Sequence, residues 1–320
     1  MFRVFSFANF RGFQDLNLVG LGRVNLIVGR NDSGKTSLLE GVAMLTSPRL
    51  VIQQLPTLLR PQGRGDVGKR YFRWLIRDES TTSHAEIHGE WKGTDRGVIF
   101  QRQANPPVPL QPPNQYESIW SGGEMQVLVL KGQQDLPFRV VSAKPTTVEE
   151  LVALYSRAVE MRAGEDKMNS LFTSLDGRIQ KVRVTSAPDG IQLMFDFGLN
   201  EMLPVSQVGQ GIHRLIAIYS ELIAGNARVC AIDEIENGIH HSMLQKVWTG
   251  IGTAAEQLDV QVFATTHSYE CIEAAYRSFA DRSSSGFAVI QLFRVSEAVK
   301  SRVLNQEEIK LALEGGIDLR

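Results

Sequence analysis

Eight residues, Gly29-Arg30-Asn31-Asp32-Ser33-Gly34-Lys35-Thr36, meet the spacing G-x-x-x-x-G-K-[ST] in full. Each residue type has a physical task there. Gly29 and Gly34 let the backbone curl around an anion, so that the loop N–H groups and the next helix N-terminus point at phosphates. Lys35 is suited to neutralise β- and γ-phosphates, and the hydroxyl of Thr36 to coordinate Mg²⁺, with Ser37 following in the same turn. Taken alone, the eight residues could be a glycine turn with a surface lysine. The flanks decide for a phosphate site: Val24–Val28 reads as a short buried strand, and Ser37-Leu38-Leu39 onward as a helix with an apolar face.

Further along, Val229-Cys230-Ala231-Ile232-Asp233-Glu234 is an apolar run ending in two carboxylates. At the C-terminal tip of a buried strand these would stand in the crevice where α/β folds bind ligands. Asp233 is then suited to the Mg²⁺ shell and Glu234 to polarising the water that attacks a γ-phosphate. His267 ends the next apolar run, 261–268, where an imidazole could contact that phosphate; a structural histidine is the plainer alternative. In Leu203–Leu222, Ser206, Gly209 and Gly211 stand at the mouth of an amphipathic helix. That arrangement is either a cap and tight turn or a second anion site. A second anion site has a use if two copies sandwich two ATP molecules, each nucleotide gripped by one loop and capped by the partner's serine–glycine helix.

These groups require a scaffold of alternating elements. Residues Phe2–Phe7, Asp15–Val19 and Val24–Val28 read as strands separated by turns at Gly12, Gly20 and Gly22. The helix after the loop is expected to end near Pro48. Short helices are expected at Gln53–Leu59 and Tyr71–Arg77, and strands at Ala85–Trp91, Gly97–Arg102 and Met125–Lys131. A proline-rich loop fills 103–115. Thr146-Thr147-Val148-Glu149 has capping-box character and opens a helix to about Arg162, followed by a helix over Lys167–Leu175 and strands at Ile179–Val184 and Gly190–Asp196. From Gly211 helices and strands alternate up to a short helix near Gln306–Leu313, which implies parallel strands with crossover helices. The expected domains are 1–48, carrying the phosphate loop; 49–165, an inserted β/helical part; and 166–320, carrying the remaining motifs.

Bulk properties set outer bounds. With 320 residues, 43% hydrophobic and 22% charged, the chain can bury a large α/β core. A formal net charge of −1 confines any nucleic-acid surface to a local patch. Cys230 and Cys271 fit neither a disulfide framework nor a metal-site spacing, and no long apolar run is present, so a soluble cytoplasmic protein without membrane contact is expected.

The order of motifs is phosphate loop, serine–glycine segment at 206–211, IDE at 232–234, NGIHH at 237–241 and TTHS at 265–268. It resembles the ABC-type ATPase heads of the SMC/RecF/OLD group, and in particular compact AAA-family ATP-binding proteins with an OLD-type ATPase domain. FANFRGFQDLNL before the loop, and LDGRIQKVRV before the signature, are similar to that group's lead-in segments. The resemblance covers about 1–47 and 170–295; residues 50–165 match only in loose pattern. It implies an α/β P-loop NTPase of ABC-ATPase-head type, with a mixed sheet, an N-terminal antiparallel β subdomain and a small helical insertion. It also implies that Lys35 and Thr36 take the lysine and magnesium roles, and that Ser206, Gly209 and Gly211 act as the signature in trans. Asp233 and Glu234 become the Walker B pair, Asn237 to His240 the D-loop, and His267 the switch histidine. The signature reads SQVGQG where the wider family has LSGGQ, and Gln53, Gln54 and Gln62 are the candidates for the Q-loop glutamine.

The resemblance further implies ATP and Mg²⁺ as ligands and homodimerisation through an ATP sandwich. No acidic cluster of the Toprim type follows TTHS, so a separate effector protein in bacterial genome maintenance or phage defence is expected, with nucleic acid a possible partner. Two other readings stand beside an ATPase: a nucleotide-gated scaffold with negligible turnover, and a P-loop kinase, which would leave the signature and TTHS without a role. Residues 60–77 interleave Arg60, Arg64, Lys69, Arg70, Arg73 and Arg77 with Tyr71, Phe72 and Trp74. They could follow a nucleic-acid backbone or form an amphipathic helix with solvated arginines. His240 and His241, adjacent on a helix, point in different directions and lack a third ligand, while His84 and His88 could share a strand face as a surface pair.

Overall fold

The computed structural model describes residues 1–59, 72–77, 84–102, 115–122, 125–187, 190–224, 226–280 and 286–320. In chain order the first elements are β1 (Phe2–Phe10), β2 (Phe13–Val19), β3 (Val24–Val28), α1 (Lys35–Thr46), α2 (Pro48–Leu58), β4 (His84–Trp91), β5 (Thr94–Arg102), β6 (Tyr116–Gly122), β7 (Met125–Leu130) and β8 (Phe138–Val141). Next come α3 (Val148–Glu160), α4 (Gly164–Leu175), β9 (Lys181–Ala187), β10 (Gly190–Asp196), β11 (Leu203–Pro204), α5 (Gln210–Ile223), β12 (Val229–Ile232) and α6 (His241–Gln257). The last are β13 (Gln261–Thr265), α7 (Tyr269–Phe279), β14 (Phe287–Val295), β15 (Ala298–Leu304) and α8 (Gln306–Glu314). They make two compact units, Met1–Phe138 with Gly286–Arg320, and Arg139–Ser285.

The first unit holds an antiparallel sheet in the order β2-β1-β4-β5-β7-β6. Four phenylalanines of β1, Phe2, Phe5, Phe7 and Phe10, are buried although their spacing is 3, 2 and 3. An irregularity in the β1–β4 register between Phe2 and Phe5 puts both rings on the inner face, as a bulge does. Helix α1 lies against this layer so closely that a Cβ at Gly41 would stand 2.3 Å from the Phe7 ring. The same unit contains β3, parallel to β14, which pairs antiparallel with β15. All five residues of β3 are buried. The polar one, Asn25, spends its amide on the preceding turn, accepting from Gly22 N at 2.8 Å and donating to Gly22 O at 2.9 Å.

In the second unit β12 and β13 run parallel, from Val229 opposite Gln261 to Ile232 opposite Ala264. Strand β8 flanks β12, and β9, β10 and β11 form a separate antiparallel sheet. A capping box opens α3, formed by Thr147 and Glu150 and so one residue further along than the i, i+3 pair Thr146 and Glu149 of the expected run.

The α/β class, the mixed pairing and the antiparallel N-terminal sheet match the expectation. Several local readings differ. Pro48 does not merely end the first helix; at the first helical position it opens α2, where its missing N–H costs nothing. The helix expected over Tyr71–Arg77 is, in its described part, only a 3₁₀ turn at Phe72–Leu75. Strands β6, β8, β11 and β15 were not anticipated. The β14–β15 hairpin turns through Ser296 at φ 54° without the glycine or asparagine that usually signals such a turn. The proline-rich loop at 103–114, Gln62 and the basic residues Arg60, Arg64, Lys69 and Arg70 with Tyr71 lie outside the described residues.

Packing at Gly41 opposes helix propensity. Gly41→Ala should lower unfolding free energy by about 1–3 kcal/mol in urea titration, although alanine is the better helix former.

Candidate functional site

The phosphate loop belongs to the first unit. Gly29 has φ 148° and Gly34 φ 99°, with Asp32 also left-handed at 62°. Space is as demanding as conformation: a Cβ on Gly29 would stand 2.4 Å from Leu292 O, and one on Gly34 2.8 Å from the Phe13 ring. Neighbouring strands therefore mould the loop. Lys35 is only 6% exposed, and its ammonium donates to Gly29 O at 2.6 Å and Arg30 O at 2.9 Å. No side chain caps α1, which leaves first-turn N–H groups facing the loop. Ser33 is 3% exposed, and its Oγ has no hydrogen-bond partner. Arg30, Asn31 and Asp32 form the exposed crest, Thr36 is half-buried and Ser37 buried. An orphaned buried hydroxyl, an uncapped helix and a buried ammonium suit a phosphate with its Mg²⁺, for which Thr36 offers the hydroxyl.

The second unit brings Asp233, Glu234 and His267 together. Strand β12 delivers the carboxylates and β13 delivers Thr265, which joins them: its Oγ1 donates to Asp233 Oδ1 at 2.7 Å and accepts from Glu234 N at 2.8 Å. Glu234 is left-handed at φ 49°, a conformation few non-glycine residues adopt. Its carboxylate accepts from Asn237 Nδ2 at 2.7 Å and lies 3.5 Å from His267 Nε2. The His267 backbone N–H donates to Glu236 Oε1 at 2.7 Å. Arg214, 7% exposed on α5, donates to the carbonyls of Ser142, Asp233 and Glu234. Burial pushes the Asp233 carboxyl above its usual range, and the neighbouring Glu234 adds to this against the opposing Thr265 hydrogen bond and Arg214 charge. Burial also lowers the Arg214 guanidinium, against the pull of Asp233, Glu236 and Glu234.

Ser206 lies exposed in a 3₁₀ turn, and Gly209 is the N-cap of α5, which no side chain caps. The two glycines differ. Gly211 is held against the 237–240 turn, where its Cβ would meet Gly238 O at 2.8 Å, whereas a Cβ on Gly209 would meet nothing within 4 Å. Gly209 thus leaves open space at the helix mouth.

Other sequence readings resolve differently. Gln53 and Gln54 are exposed on α2, and the strand flanking β12 is β8, followed by Ser142 with no glutamine. His240 and His241 do not point apart: His240 is an extended N-cap, not a helical residue, so the rings come within 4.1 Å. His84 and His88 do share a face, each bonded to Glu86 between them. The side-chain roles of Arg214, Thr265, Glu236 and Asn237 were not foreseen. Arg214 reads in sequence as one polar position on an amphipathic helix, and only the TTHS run hinted at Thr265. Among the described residues no group of three or more His, Cys, Asp or Glu could hold a metal ion, and no helix is long and apolar enough to cross a membrane.

Residues 144–272 match the AAA ATPase domain family. Across 315 residues the chain is 22% identical to an "ATP/GTP phosphatase" of Helicobacter pylori, covering 83% of this chain and 85% of that protein. Among solved structures, an SMC head bound to the C-terminal winged-helix domain of ScpA superposes with TM-score 0.60 at 11% identity, covering 97% of this chain and 99% of that one. The SMC head domain of Thermotoga maritima gives TM-score 0.52 at 11% identity, with 95% and 99% covered.

The raised Asp233 pKa has a thermodynamic sign. Between the ordinary carboxylate range and the raised native value, the folded state holds more protons than the unfolded one, so stability falls as pH rises. Asp233→Asn should remove that decline: urea unfolding from pH 4 to 8 should show the variant gaining on the wild type as pH increases.

Proposed function

We propose that this chain, an ATPase of AAA/SMC-like type with the fold of an ABC-type ATPase head of the SMC/RecF/OLD group, binds ATP and hydrolyses it to ADP and phosphate. The observation that carries the reading is the phosphate loop itself, with Lys35 buried in it, Ser33 Oγ unpartnered and α1 uncapped. The name of the Helicobacter relative, a phosphatase of nucleoside triphosphates, supports hydrolysis.

The loop N–H groups and Lys35 hold the β- and γ-phosphates. Thr36 and Asp233 are the residues that would hold Mg²⁺, Asp233 through water. The ion supplies positive charge to the phosphate oxygens when bound. Glu234 accepts the proton of the attacking water as general base, and His267 contacts the γ-phosphate. Ser206, Gly209 and Gly211 cap the nucleotide of a second copy, so that ATP drives head-to-head dimerisation. The exposed Ser206 and the open space at Gly209 support this role. The dimer in turn controls a separate effector protein or nucleic-acid binding, in genome maintenance or phage defence. That one structural neighbour is bound to a winged-helix partner supports a partner-binding head.

Phosphate release separates turnover from nucleotide-gated scaffolding. Lys35→Ala should abolish it, and Glu234→Gln should slow it by about 10²- to 10⁴-fold, the usual weight of a general base. A wild-type rate equal to Lys35→Ala would overturn the hydrolase reading. In light scattering Glu234→Gln should form a dimer with ATP and Mg²⁺; a monomer would overturn the sandwich. Ser33→Ala should leave apo stability within about 0.5 kcal/mol, because its hydroxyl satisfies nothing, while raising the Kd for ATP.

A further inference from the structure

The turn after the catalytic carboxylate carries a side chain to which the reaction gives no role. Asn237 Nδ2 has two acceptors and no competing donor: Glu234 Oε2 at 2.7 Å and Ala143 O at 3.3 Å. An amide NH₂ has two hydrogens, so this pair of acceptors uses both and settles which way the amide faces. The backbone repeats the link, with Asn237 N donating to Glu234 O at 3.1 Å. The next residue, Gly238, is left-handed at φ 73°, and its carbonyl abuts Gly211 of α5. One end of the Glu234 carboxylate is thus held by a neutral donor and the other faces His267. A neutral donor orients a carboxylate and restricts its rotation.

We infer that Asn237 is a positioning residue, whose amide holds the Glu234 carboxylate in the orientation from which it receives the proton of the attacking water. The inference rests on the hydrolase reading above and adds to it the group that sets the geometry of its base. It also explains why an amide suits this position better than a carboxylate. An aspartate of equal size would present an acceptor to both Glu234 Oε2 and Ala143 O, replacing two hydrogen bonds by two repulsive contacts.

Steady-state ATP hydrolysis by the full chain tests this. Asn237→Ala should lower kcat about a hundredfold with KM for ATP unchanged, because a misplaced base affects chemistry and not binding. Asn237→Asp, equal in volume and so retaining the fold, should lose at least as much. The decisive readout is a double-mutant cycle. In the Glu234→Gln background, Asn237→Ala should cause no further loss, since a residue acting only through Glu234 has nothing left to position. A merely structural role would lower the rate in both backgrounds alike. Multiplicative losses, a wild-type kcat in Asn237→Asp, or a change confined to KM would each overturn the inference while leaving the hydrolase reading intact. A wild-type rate no greater than Lys35→Ala would overturn both.

Discussion

The second unit is organised around one strained peptide. Strand β12 must stop, turn and leave a carboxylate at its tip, and Glu234 does this in the left-handed region at φ 49°. That conformation costs a non-glycine residue on the order of 1–2 kcal/mol, and it persists only where its surroundings over-determine it. Here they do: the N–H is taken by Thr265, the carbonyl by Arg214 and the side chain by Asn237. The partners come from β13, which accepts, and from α5 and the following turn, which donate, so three elements agree on the position of one residue. A glycine would relax the backbone but would have no carboxylate, which is why strain and chemistry coincide there.

The phosphate loop solves the complementary problem of presenting N–H groups to an anion without collapsing. Its glycines are required by crowding as well as by conformation, since Leu292 O and the Phe13 ring occupy the space where side chains would go. Lys35 meanwhile bonds two loop carbonyls, so the buried ammonium has partners in the free protein and the loop is held open around it. Preorganisation of this kind spends the ordering entropy at folding and not at binding.

Charge burial links stability to function. Asp233 and Arg214 are both more than nine-tenths buried, and desolvation opposes ionisation of each. Arg214 reaches the backbone carbonyl of Asp233 and not its carboxylate, which accepts from Thr265. An apolar core in that place would be more stable and chemically inert.

Local chemistry was legible in the residue order. G-x-x-x-x-G-K-[ST], the paired acids at a strand end and the largely apolar β3 each depend on neighbours within a few positions, and such patterns are written in the chain itself. Other features come from residues that meet only after folding. Arg214 lies 19, 20 and 72 positions from the carbonyls it binds, and Thr265 lies 32 from Asp233. The bulge that turns both Phe2 and Phe5 inward, the contact of Gly211 with Gly238 and the β14–β15 hairpin without a glycine likewise have no local signature. Residue types alone determined which groups are able to bind phosphate and activate water. The tertiary structure decided how each is oriented, because orientation is set by hydrogen bonds and excluded volume contributed from distant strands and helices.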